Sequence, residues 1–216
     1  MPQDAHTPPA PQPAPPSRWR EWMSFLFSDH AILRYWWTNF DEIAPGVYRS
    51  NHPSYNRLKK YKAMGIKTIL NLRGTPKSAC HRLEKEFCEE LGLELVSVGL
   101  YARAPNGGPA LLQLLDAFKT IEKPFVMHCK SGADRAGLAS AFYLIAEEGA
   151  DVATAREMLS LRYLHIKQSK TGVLDHVLDH YEARLEQGPI SLRDWIANEY
   201  DEEVVRASYN AKTGRT

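Results

Sequence analysis

One stretch of the chain gathers side chains able to do chemistry together: His128-Cys129-Lys130-Ser131-Gly132-Ala133-Asp134-Arg135-Ala136-Gly137. It follows an apolar run, Phe125-Val126-Met127, and precedes a run with the helical spacing of Leu138, Phe142 and Ile145. At a strand-to-helix junction successive backbone N–H groups can curl into an anion-binding nest, reinforced by the helix N-terminus. Cys129 opens this loop and Arg135 closes it. The residues between them, Lys130, Ser131, Gly132, Ala133 and Asp134, are few enough to wrap a single phosphate. Gly132 permits backbone angles that a side chain forbids. A thiol becomes a strong nucleophile once ionised, and a helix N-terminus with a nearby cation favours the ionised form. Arg135 offers a planar fork matched to two phosphate oxygens, and it can stabilise the charge that spreads over the equatorial oxygens in phosphoryl transfer.

The elements that must hold this loop alternate along the chain. Pro45-Gly46 reads as a turn and Val47-Tyr48-Arg49 as a short strand. A helix is expected over 54–64, with Gly65 as its C-cap, then a strand over 67–72 ended by Arg73-Gly74. An amphipathic helix follows over 81–91, a strand over 93–98, a loop over 101–109, and a helix over 110–121. Beyond the loop helix, further helices are expected over about 152–161, 172–186 and 191–200. Short apolar strands alternating with helices imply an α/β fold, a mostly parallel sheet flanked by helices. The all-helical C-terminal third should pack on one face.

Composition narrows the function. The 216 residues are 44% hydrophobic and 25% charged, the balance of a globular chain. Lys plus Arg is 27 against 26 Asp plus Glu, so no global basic field points to nucleic acid as partner. Three cysteines cannot all pair, which with the lack of an apolar signal segment suggests a reducing, cytoplasmic setting. Residues 2–16 hold seven of the 14 prolines and little apolar bulk, so 1–17 reads as a disordered leader. Residues 18–42 are rich in aromatics (Trp19, Trp22, Phe25, Trp36, Trp37 among them) and read as a helical arm packed on the domain. A weak membrane-surface contact through 18–40 is the alternative. The catalytic domain is placed at 43–188, with a C-terminal helix and tail over 189–216.

The segment HCKSGADR resembles the Cys-x5-Arg phosphate loop of the protein tyrosine and dual-specificity phosphatases. The upstream text GVYRSNHPSYNRLKKYKAMGIKTILNLRG is similar to the first strand–helix–strand of the compact dual-specificity subgroup, and the likeness runs over about 43–185. The resemblance implies a dual-specificity phosphatase-like fold with no cofactor and no metal. It also implies attack by Cys129 on phosphorus and a phosphocysteine that water hydrolyses. Phosphorylated protein, or phosphorylated lipid or inositol, is the implied substrate class. Two positions depart from the pattern. Ala136 stands where the family usually has Ser or Thr, and the loop GLYARAPNGGP lacks the usual general-acid Asp. Asp134 then becomes the candidate proton donor, as in myotubularin-like lipid phosphatases, which also carry Asp before the loop arginine. The alternative is an outward-facing, loop-stabilising Asp134.

Other residues carry weaker readings. Lys130 resembles the lysine after the cysteine in phosphoinositide phosphatases, where it adds a point charge for a second phosphate; a solvated lysine is the alternative. His128 orients the loop or is a satisfied core histidine. Arg73, at the C-terminal end of a strand, contacts the pocket or is salt-bridged at the surface. In His165-Ile166-Lys167-Gln168-Ser169-Lys170, Gln168 is a candidate for positioning water and Lys170 for meeting an anion, while a capped helix connection explains both as well. Cys80 and Cys88 read as boundary and core residues, with a resolving disulfide to Cys129 as the sharper reading. Asp175, His176, Asp179 and His180 have metal-like spacing and read as solvated polar residues. Two rival functions remain open: a rhodanese-like sulfurtransferase and a catalytically idle phospho-binding module.

Overall fold

The computed structural model describes residues 37–74 and 78–214. The leader and most of the arm, and with them the expected membrane contact, lie outside the described residues. Trp37–Phe40 run without regular structure into a strand, β1 (Asp41–Ala44), so the arm does not end as a helix. β2 (Val47–Ser50) follows across a turn at Gly46, whose φ is +74°. Then come α1 (Tyr55–Ala63), β3 (Thr68–Asn71), α2 (Ala79–Leu91), β4 (Glu94–Ser97), α3 (Gly108–Thr120), β5 (Phe125–His128) and α4 (Asp134–Glu147). The chain ends in α5 (Val152–Arg156), α6 (Val173–Leu185), α7 (Leu192–Asn198) and α8 (Glu202–Thr213), with 3-10 turns at Leu161–Tyr163 and Lys170–Gly172.

The five strands form one sheet in the order β1-β2-β5-β3-β4. β1 pairs antiparallel to β2 and the other neighbours are parallel, so the mostly parallel α/β sheet expected from the sequence is present. Strand side chains alternate between two cores, as period-2 geometry requires. Phe125, Met127, Leu70 and Leu72 join the larger core with α3, α4, α6 and α7. Val126 and Ile69 face the smaller core with Leu58 and Tyr61 of α1 and Cys88 of α2. The helical C-terminal third therefore covers one face, as its pattern suggests.

Two helical expectations are corrected. The helix placed over 152–161 stops at Arg156, because Met158 turns its carbonyl to the guanidinium of Arg49 (2.8 Å). Gly137 of α4 lies against this turn, where a Cβ would come within 2.7 Å of Met158 O and Leu159 Cδ2. The C-terminal tail is instead a second helix, α8, capped by Asp201, whose Oδ1 accepts from the amides of Glu203 (2.8 Å) and Val204 (3.3 Å). Only Val205 and Tyr209 of α8 are buried, a stripe too narrow for the pattern to announce.

Candidate active site

β5 is the middle strand, and its C-terminal end delivers Cys129 to the edge of the sheet. Asn71 stands level with His128 in the register, and the Leu72 amide bonds His128 O (2.9 Å), so Arg73 emerges beside the loop at the same edge. The Cys129 side chain lies at the floor, 1% exposed. From there the chain curls through Gly132 (φ +74°) into α4. A Cβ on Gly132 would stand 2.7 Å from Asn51 N and 2.8 Å from Ser50 C and Asn39 Cβ, so both the angle and the close approach require glycine.

The curl is held from behind by its carbonyl oxygens. Lys130 O accepts from His52 N (3.3 Å), and Ser131 O from Asn39 Nδ2 (3.0 Å). Gly132 O and Ala133 O both accept from Arg49 Nη2, at 2.6 and 3.3 Å. In a planar peptide unit the N–H points away from the C=O. With these oxygens turned outward, the amides of residues 131–134 turn inward. The Gly132 amide does so, donating to Cys129 Sγ at 3.2 Å. Arg135 sits in the first turn of α4 with a buried Nε that has no hydrogen-bond partner among the described residues. The result is a concave set of donors over a sulfur, with one guanidinium uncommitted: a receptor for a tetrahedral oxyanion.

Arg49, which the sequence reading left as a mere strand residue, is the scaffold of this cradle. It is completely buried and stacks on the ring of Tyr163, 3.6 Å from its centroid. Burial pulls its guanidinium down to about 10, and Tyr163, Cys129 and Asp41 partly restore it, so it stays cationic at neutral pH beside the loop sulfur.

His128 is completely buried. Its Nε2 lies 2.6 Å from Glu84 Oε1, and Nδ1 lies 3.3 Å from Cys129 O. Glu84, from α2, is also bonded by Asn71 Nδ2 and lies 3.9 Å from His52 Nδ1. Burial alone would raise the Glu84 carboxyl, but His128 and His52, with the Asn71 bond, outweigh it and hold it at about 2. His52, Glu84 and His128 thus cluster beneath the strand ends.

Asp134 opens α4. Its Oδ1 meets His165 Nδ1 at 2.8 Å, and His165 Nε2 meets Asp175 Oδ2 at 2.7 Å. The segment named for Gln168 and Lys170 therefore brings His165 to the loop helix, while Gln168 and Lys170 are exposed. A histidine flanked by exposed positions was the available signal, but nothing in its spacing ties it to Asp134. The solvated reading of the α6 polar residues is corrected too. Asp175 is buried on His165, His176 and His180 share Ser208 Oγ at 2.9 Å each, and Asp179 pairs with Arg156 at 2.7 Å. Those partners use the donors that a metal would need.

The loop after β4 has no carboxylate. Asn106 laces it, accepting from the Tyr101 amide (2.6 Å) and donating to Tyr101 O (3.2 Å). At Ala136 no hydroxyl faces the loop; the nearest in sequence, Ser140, is spent on Ala136 O at 2.6 Å. All three cysteines are buried and outside any disulfide, and burial followed by Glu84 and Glu89 pushes Cys88 up to about 12. No helix among the described residues is long and apolar enough to cross a membrane.

Comparison with known proteins gives this fold and loop a family. The family model described as "Tyrosine phosphatase family" matches residues 38–157, more than half of the chain, and the chain belongs to that family. Among solved structures, TpbA of P. aeruginosa is similar at 18% identity, covering 79% of this chain and 90% of its own, with a TM-score of 0.53. The core catalytic domain of the S. cerevisiae PP-IP phosphatase SIW14 is 16% identical, with 81% and 93% covered and a TM-score of 0.50. Tk-PTP is 20% identical, with 68% and 99% covered and a TM-score of 0.52. At these identities the likeness is one of fold. A search of curated proteins found no match.

Proposed function

We propose that this chain hydrolyses phosphomonoesters through a phosphocysteine on Cys129. The observation that carries the reading is the loop whose oxygens are tied back by His52, Asn39 and Arg49, with the Gly132 amide on Cys129 Sγ. The phosphoryl oxygens occupy those amides and the Arg135 fork, which stabilise charge as the P–O bond breaks. Cys129 attacks as thiolate in line with the leaving oxygen. Asp134 supplies that oxygen's proton and then takes one from the water that hydrolyses the thiophosphate ester. No resident metal or cofactor enters these steps. Lys130, Ser131, Gly132 and Ala133 line the cradle, His128 orients it, and Arg73 extends positive charge along the sheet edge. Gln168, though exposed, positions the hydrolytic water, and exposed Lys170 meets an anionic group of the substrate.

Relatives in fold point to the substrate class. TpbA has been solved in complex with pTyr, and SIW14 is a PP-IP phosphatase. For this chain the substrate is a phosphorylated protein, or a phosphorylated lipid or inositol, met in a reducing, cytoplasmic compartment. The test is turnover of p-nitrophenyl phosphate by the wild type and by Cys129→Ser. Turnover that disappears in the variant, with a trapped phosphoenzyme in the wild type on rapid acid quench, is expected. Thiosulfate turnover in its place would make the chain a sulfurtransferase. Phosphopeptide binding without any turnover would make it a reader.

A further inference from the structure

The Asp134–His165–Asp175 array is built more firmly than a single proton donor requires. Its three members come from three places: the first turn of α4, the connection after the 3-10 turn, and the first turn of α6. The His165 ring is buried, and both of its nitrogens are used, at 2.8 and 2.7 Å, each on a carboxylate oxygen. An imidazole with a carboxylate on either nitrogen can satisfy both only by carrying two N–H groups, as the cation. Asp134 is part-exposed, 21% at its side chain, while Asp175 is buried at 2%. The array therefore has a wet end at the loop and a dry end inside.

Resting on the phosphatase reading above, we propose that His165 is the proton-supplying and positioning residue for the leaving-group step, acting through Asp134, with Asp175 holding the ring. In the first half-reaction the S–P bond forms and the P–O ester bond breaks. The proton on His165 Nδ1 passes to the Asp134 carboxylate and on to the leaving oxygen, which departs as the neutral alcohol. His165 is left neutral, its remaining proton on Nε2 toward Asp175. In the second half-reaction water attacks the phosphocysteine and the S–P bond breaks. One water proton returns through Asp134 to His165, restoring the cation and the thiolate. No further reactant is needed. The arrangement offsets the two departures from the family pattern: the acid-free loop after β4 and the missing hydroxyl at Ala136.

The charged groups around the ring are consistent with this role. From α4 it is Asp134 and from α6 Asp175; from α5, Arg156 reaches the Asp175 carbonyl oxygen at 3.4 Å and pairs with Asp179 one turn on. Burial alone would lower the His165 imidazolium, but the bonds from Asp134 and Asp175 overcome it and raise it to about 9. The array thus holds its proton throughout the neutral range and loses it only on the alkaline side.

The experiment is a pH profile of kcat for the full chain on phenyl phosphate, a poor leaving group, and on p-nitrophenyl phosphate, a good one. The wild type should show a basic limb near pH 9 on phenyl phosphate. His165→Gln should lower kcat on phenyl phosphate by about 10²–10⁴-fold, much less on p-nitrophenyl phosphate, with KM unchanged and the basic limb gone. Asp175→Asn, which keeps shape and removes one charge, should move that limb to lower pH while turnover below it persists. It also serves if the His165 variant fails to fold. An equal loss on both substrates, or a limb that stays in place in Asp175→Asn, overturns the relay while leaving the phosphatase reading intact. Absence of any turnover by the wild type, or turnover that survives Cys129→Ser, overturns that reading and the relay with it.

Discussion

Arg49 shows how much of the site depends on a residue that reads as nothing in the sequence. Cys129, Asp134 and Arg135 are legible because they are contiguous and their types belong together. Arg49 and His165 lie far from them along the chain, and only folding brings the guanidinium to Gly132 O and the imidazole to Asp134. No periodicity encodes such a pairing. Arg49→Met should therefore be severe. It leaves buried carbonyls at Gly132 and Met158 without their donor, at about 1–3 kcal/mol each, while Ala133 O keeps the Gly137 amide. The amide cradle should relax with them, so urea melts are expected to show the stability loss and turnover to drop further than stability alone explains. Arg49→Lys keeps the charge but cannot fork between Gly132 O and Met158 O, and should fall between the two. Gly132→Ala tests the curl directly. Its Cβ would meet Asn51 N at 2.7 Å at a φ of +74°, so loss of phosphate binding with a mostly native circular dichroism spectrum is expected.

Among the elements, α2 does more than cover a face. Its Glu84 is fully buried and ties β3 through Asn71 and β5 through His128, so the helix fixes the level of the two strand ends that present Arg73 and Cys129. The amphipathic pattern announces α2 through Leu83, Phe87 and Leu91, yet it gives no reason to expect a carboxylate on the inner side. A buried charge is the opposite of what periodicity predicts, and only the His partners explain it. Since the Glu84 carboxyl is held at about 2, against 4.5 for the free group, its contribution to stability is complete above pH 4.5. It is lost as pH falls from there toward 2. Glu84→Gln should lower stability at pH 7 by about 3–5 kcal/mol, as removal of one partner of a buried ion pair does. It should also flatten the acid limb, so that the gap between wild type and variant in urea melts narrows below pH 4.5 and closes only near pH 2. An acid limb of unchanged slope in the variant would place the titration elsewhere. The elements that escaped the sequence reading share one cause. β1, α8 and the shortened α5 are set by partners such as Arg49 and α6, while their own side-chain patterns are weak.

At the scale of the molecule, the family match ends at residue 157, yet the larger core does not. Leu192, Trp195 and Ile196 of α7 are buried with α3 and α4, and Tyr181 of α6 donates to Ile190 O at 2.9 Å to bring α7 round. α8 then packs on α6 through Val205 and Tyr209, and Tyr209 Oη donates to Ser169 O at 3.0 Å, four residues from His165. The two helices should therefore fail differently when removed. A chain ending at Tyr200 loses the burial of one Val and one Tyr, at about 1.5–3 kcal/mol each as an upper estimate. At about 2–4 °C per kcal/mol for a domain of this size, its melting temperature should fall by roughly 10 °C. The sheet and the Cys129 loop should survive, because α8 packs chiefly on α6. A chain ending at Gln187 also uncovers the α3–α4 face that Trp195 fills, and it is expected to lose cooperative melting and bind a hydrophobic dye. Thermal melts followed by circular dichroism distinguish the two. If the shorter chain melts as cooperatively as the longer one, α7 is an ornament on a core that α6 already closes.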